Sequence, residues 1–170
     1  FLAGSAPDTL ALVNVEQVRR QDARADEKAA YDDLFLVTGF PSHCRTLLDE
    51  RKQLDAGLLA NLWAQWGRIR ELSRGGPALP TGEVRFGDEY KTAIMAGSAV
   101  FLWHTEWCAQ DDSRNQTVVE AVRDLLAAPS ECTVGYDSRD FAWTFDSFAA
   151  EAVAMLWTRE PSDTEWRTRV

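Results

Sequence analysis

Positions 93–103 of this chain read Ala-Ile-Met-Ala-Gly-Ser-Ala-Val-Phe-Leu-Trp, and wound into a helix they are apolar on nearly every side. A helix with no polar face has to be surrounded by apolar neighbours. The rest of the chain must therefore supply amphipathic helices that wrap this one. The run is shorter than the roughly 18 apolar residues of a membrane span and carries Ser98 in its middle, so it reads as a buried helix. The fold expected from it is all-α: five to six helices in an antiparallel bundle, or a short HEAT-like α-solenoid segment.

The tryptophans agree with a helical reading. The chain has seven: Trp63 and Trp66 are three apart, Trp103 and Trp107 four apart, and Trp143 and Trp157 fourteen apart, close to four helical turns. Residues three or four apart share a helix face, so each pair presents one broad aromatic surface. Such surfaces build cores, and in some folds they build interfaces with stacked helices or a protein partner.

Start and stop signals that agree with apolar periodicity place five helical segments. The first spans about 15–38, with Ala30, Leu34 and Val37 on one side; Gly39 suits the residue after a helix, and Pro41 prevents continuation. The second spans about 42–73, with a break near Asp55 and Gly57 and a stripe of Leu58, Leu62, Ile69 and Leu72 beside Leu59, Trp63 and Trp66. The third, 88–108, contains the apolar run and is expected at the centre. The fourth opens at a Ser113-x-x-Gln116 capping box and reaches Pro129. The fifth covers 138–158 along Phe141, Phe145, Phe148, Ala152 and Leu156. Positions 83–86 are the best strand candidate, and 9–15 fit strand or helix equally.

A faint internal repeat favours an array. Positions 99–103 and 153–157 both end in Leu-Trp, and each precedes a polar linker and an S-x-x-E/Q box, the second being Ser162 to Glu165. A capping box announces a helix, and too few residues follow Glu165 to complete one. Together with a first residue that is Phe rather than Met, this predicts a single helical domain, 1–170, cut from a longer chain.

Charge narrows the partners. A net charge of −9, with Arg19 and Arg20 followed two residues on by Asp22, lacks the clustered cations a nucleic acid requires. The expected partner is a protein, or neighbouring domains of the same chain, with no nucleic acid and no membrane. Cys44, Cys108 and Cys132 are odd in number and without a C-x-x-C, which suits buried thiols in a reducing, cytoplasmic setting.

The chemistry-bearing residues are few. His104 and Cys108, four apart on a helix, share a face and form a candidate half-site for zinc. His43 and Cys44 are adjacent, project about 100° apart, and do not complete it. Glycine-rich phosphate loops and a G-x-S-x-G elbow are absent. Tyr136, Asp137, Arg139 and Asp140 crowd a turn before an aromatic helix, where they either cap it or grip a ligand.

Two functions follow as expectations. The first is a non-catalytic interaction or scaffolding module without cofactor, with Trp63, Trp66, Trp107, Tyr136 and Arg139 as partner-binding residues. The second is a helical enzyme or ligand-binding domain, its pocket near His104 and Cys108 or the Tyr136–Asp140 turn.

Overall fold

A computed structural model describes residues 25–74, 87–127 and 138–159, with side chains at 28–30, 32–74, 89–127 and 145–159. Six helices follow in order: α1 (Ala25–Asp49), α2 (Ala56–Ser73), α3 (Gly87–Trp103), α4 (Thr105–Ala109), α5 (Asp112–Ala127) and α6 (Ser138–Arg159). Among the described residues there is no strand. The expectations for 9–15, for 83–86 and for the box at Ser162 lie outside them.

The apolar helix is the axis of the fold. Every residue of α3 from 92 to 102 is buried, and α1, α2, α5 and α6 all pack on it. In a stacked solenoid each repeat touches only its neighbours, whereas here four helices share one. The chain is an all-α bundle around a central helix, and no described helix is long and apolar enough to cross a membrane.

The largest departure from expectation is α1. It runs through Gly39 and Pro41 to Asp49, so residues 42–49 continue the first helix instead of opening the second. An internal proline costs about 3 kcal/mol by removing one backbone bond and crowding the preceding turn. Stopping at Gly39 would leave Phe40 and Cys44 outside the stripe they now share with Val37. All three are buried, and each large apolar side chain withdrawn from water contributes about 1.5–3 kcal/mol. Tertiary burial outweighs the local break.

The helix then closes on a Schellman motif. The Lys52 amide donates to the Leu47 carbonyl at 3.4 Å and the Arg51 amide to Leu48 at 3.1 Å. Arg51 takes the left-handed position at φ 48, where glycine is the usual occupant.

Helix α2 starts where the Asp55 side chain accepts the Leu58 amide at 2.9 Å. Its buried stripe is Leu59, Leu62, Trp66, Ile69 and Leu72. Leu58, expected on that stripe, is 54% exposed, because the face that meets α3 is centred one residue later. The third segment also ends earlier than expected. His104, at φ −85 and ψ 57, breaks it, and α4 sets off separately. Helix α5 is capped by Asp111 and not by Ser113. The Asp111 carboxylate accepts the Ser113 amide at 2.9 Å and the Arg114 amide at 3.3 Å, while Gln116 turns to Glu120. Helix α6 matches its expected span to one residue and buries Phe148, Ala152, Val153 and Leu156.

A candidate binding cleft at the joined helix ends

Three of the tryptophans singled out by spacing form a cluster inside the bundle. Trp63 lies 5.0 Å from Trp66, 4.9 Å from Phe101 and 5.7 Å from Trp107, ring centroid to ring centroid. Trp66 and Trp107 are buried and Trp63 is half-buried. Arg70 lies over the Trp66 ring at 4.9 Å and Arg114 over Trp107 at 4.1 Å, closing the outer faces by cation–π contact. These rings hold helices together, so Trp66 and Trp107 offer no face to a partner. The turn at His104 is the reason Trp107 joins this cluster without Trp103, its expected companion. Tyr136 lies outside the described residues, and of Arg139 only the helical backbone is described.

His104 and Cys108 are also interior. The Cys108 amide donates to the His104 carbonyl at 3.2 Å, and both residues are buried. Burial lowers the His104 pKa and pushes the Cys108 thiol up to about 11 despite the guanidiniums of Arg159 and Arg114 nearby. A metal needs a deprotonated thiolate and several converging donors, whereas burial keeps this thiol protonated and, besides Asp111, its charged neighbours are cations. Among the described residues, no three His, Cys, Asp or Glu side chains converge as a metal would require. Cys44 is buried, with its thiol raised by desolvation, while the adjacent His43 is exposed.

The cleft of interest lies elsewhere, where α1, α3 and α6 meet. It is open, about 280 Å³ in volume, and lined by Leu48, Asp49, Arg51, Trp103, Glu151 and Met155. Neither His104 nor Cys108 is part of its wall. Arg45, one turn before the end of α1, organises the Glu151 side. Its Nη1 donates to Glu151 Oε1 at 2.6 Å, its Nη2 donates to Ser147 Oγ, and its guanidinium lies 4.2 Å over the Phe148 ring. Arg51 lies 5.6 Å over the Trp103 ring.

Two residues of this wall each keep one polar atom sealed away from the open cleft and unmet. Trp103 Nε1 and Glu151 Oε2 are both shielded from water and have no hydrogen-bond partner. One is a neutral donor, the other an acceptor. Leaving such a group unpaired costs about 1–3 kcal/mol, which is why buried polar groups are paired nearly everywhere.

Spacing alone does not reveal this site. Its residues come from three helices, and Arg45 and Glu151 are 106 positions apart. The helix end that carries Leu48 and Arg51 exists only because α1 passes Pro41. The available signal was Trp103 itself, a tryptophan at the end of an otherwise buried helix with an indole N–H that needs an acceptor.

Comparison with family models, with curated proteins and with solved structures finds no match for this chain.

Proposed function

We propose that this chain is a non-catalytic helical module that docks a segment of a protein partner in the cleft between Trp103 and Glu151. One observation carries the reading: an open cleft of about 280 Å³ combines the apolar side chains of Leu48, Trp103 and Met155 with the charged Asp49, Arg51 and Glu151 in one wall. The apolar part of a partner segment rests on Leu48, Met155 and the indole, and its polar part meets Asp49 and Arg51. Peptide recognition of this kind takes affinity from main-chain hydrogen bonds and selectivity from a pocket for one side chain. The buried free thiols of Cys44 and Cys108 accord with a cytoplasmic setting.

The test is selection of a displayed random peptide library on the purified protein, with Met155→Lys run in parallel. Met155 is a partly buried wall residue, and a charge there blocks the cleft. Wild type is expected to enrich a shared short motif that Met155→Lys does not. Equal enrichment by both, or none by either, removes the proposal. An organic mass retained in native mass spectrometry, and lost in Met155→Lys, would instead favour a small-ligand domain.

A further inference from the structure

We infer that the C-terminal end of α1 is a gate: residues 45–52 release from α3 and α6 as one unit while the rest of the bundle stays folded. The release brings water to Trp103 and Glu151. Such a gate exists whether or not the cleft docks a peptide.

The segment is thinly anchored. Cys44 and Leu59 are buried, and no residue between them is. Leu47 and Leu48 are only partly buried against the core. Local opening is easiest where buried apolar contacts are few and backbone hydrogen bonds lie exposed. Here the helix end is closed by the Glu50 amide on Thr46 at 3.0 Å, Arg51 on Leu48 at 3.1 Å and Lys52 on Leu47 at 3.4 Å. The last is longer than a normal N–H···O bond. Just ahead of the segment, Pro41 has no amide to give, so the helix is one bond short there. Cys44 on one side and the Asp55 cap with Leu59 on the other hold both ends of the stretch. It therefore swings out and returns instead of unravelling.

The closed state also carries three unfavourable features. Arg51 holds a left-handed backbone at φ 48, which glycine adopts more readily than arginine. Trp103 Nε1 and Glu151 Oε2 are sealed and without a hydrogen-bond partner. The α1 end reaches both side chains: Arg45 donates to Glu151 Oε1 at 2.6 Å, and Arg51 lies over the Trp103 ring. Withdrawing it relaxes Arg51 and lets water pair with both sealed atoms. One movement relieves all three. Against it stand the contacts of Arg45 with Glu151, Ser147 and Phe148, and the partial burial of Leu47 and Leu48.

The experiment is hydrogen exchange followed by NMR on the isotope-labelled protein, repeated at low urea concentrations. The indole N–H of Trp103, assigned by its loss in Trp103→Phe, reports the gate. That of Trp66, bonded to the Ile94 carbonyl in the core, reports global unfolding. The Trp103 indole and the amides of Glu50, Arg51 and Lys52 are expected to share one opening. Their protection should lie at least about a hundredfold below that of the Trp66 indole and respond little to urea. Arg45→Met, which removes the tie to α6, should speed exchange at all four by about tenfold. A Trp103 indole as protected as Trp66, with the same urea slope, overturns the gate, because the α1 end then opens only with the whole fold. Fast amides beside a slow indole overturn it too, leaving ordinary fraying of a helix end. So does a fast indole beside slow amides, which gives water a route that does not move α1. Unchanged rates in Arg45→Met also count against it, since Arg45 is the tie that holds the gate shut. Should that variant fail to fold, the wild-type rates and urea slopes decide.

Discussion

The Trp66 indole fills the notch that Gly97 leaves in the central helix. A methyl group on Gly97 would lie 2.4 Å from Trp66 Cδ1 and 3.0 Å from Phe40 Cε1. The indole reaches into α3 for a partner, donating from Nε1 to the Ile94 carbonyl at 2.9 Å. That carbonyl also accepts the Ser98 hydroxyl at 2.7 Å. Helices α1, α2 and α3 thus meet at one residue without a side chain.

Gly97→Ala is therefore expected to destabilise the protein. Alanine favours a helix over glycine by about 1 kcal/mol, so a merely helical position would gain stability. Here a contact at 2.4 Å forces a buried tryptophan to shift, and overpacking of this kind costs about 1–3 kcal/mol. The balance is a net loss of up to about 2 kcal/mol, and about 1 kcal/mol at the middle of that range is the expected result in urea denaturation. An alanine variant as stable as wild type would show that the indole does not occupy the notch.

Arg51→Gly should have the opposite sign. Left-handed backbone costs a non-glycine residue about 1–2 kcal/mol, and glycine removes that strain. The exposed stack on Trp103 is lost, worth about 0.5–1 kcal/mol. The balance is a gain of about 0.5 kcal/mol, visible as a raised denaturation midpoint. Stability gained would show that the left-handed backbone of Arg51 is strained. Stability lost would sink this account of the strain.

The contrast between α3 and α1 explains how much was legible in the order of residues. α3 could be placed at the centre because residues 93–103 have no polar side to give to water. α6 could be bounded because Phe148, Ala152 and Leu156 repeat at helical spacing with no breaker among them. α1 could not, since Gly39 and Pro41 are strong local stops and the burial of Phe40 and Cys44 is a tertiary effect. The site was legible least of all. Helical periodicity relates neighbours along one helix, whereas Trp103 and Glu151 share a wall only after three helices have docked. The spacing of Trp103 and Trp107 even suggested a shared face, which the turn at His104 divides.

The Arg45–Glu151 pair lends itself to a double-mutant cycle. Both side chains are about a third exposed, at 29% and 35%, so solvent screening reduces their attraction. Arg45 also packs on Phe148 and donates to Ser147, so Arg45→Ala should cost more than Glu151→Ala. A coupling of about 0.5–1 kcal/mol is expected, falling as salt is raised. No coupling at low salt would mean that the pair does not hold the α1 end against α6.

Stability should fall on both sides of a neutral plateau, for two different reasons. Burial lowers the His104 pKa below its ordinary 6.5, so the unfolded chain takes up the proton more readily than the folded one. The His104 contribution is complete above pH 6.5 and declines as pH falls below it. Burial raises Cys108 from 9.0 to about 11, and raises Cys44 further, so there the unfolded chain loses the proton first. The thiol contribution is complete below pH 9.0 and is lost as pH rises from 9.0 towards 11. Each thiol withdraws roughly 1.4 kcal/mol per pH unit in that window. Between pH 9.0 and 10.0 the alkaline slope, read from urea midpoints, should therefore fall to about half in Cys108→Ala, with Cys44 supplying the rest; above pH 10.0 Tyr90, raised by burial, adds to the loss. An unchanged slope in that variant would place the alkaline loss on other groups and show that the Cys108 thiol is not protected by burial.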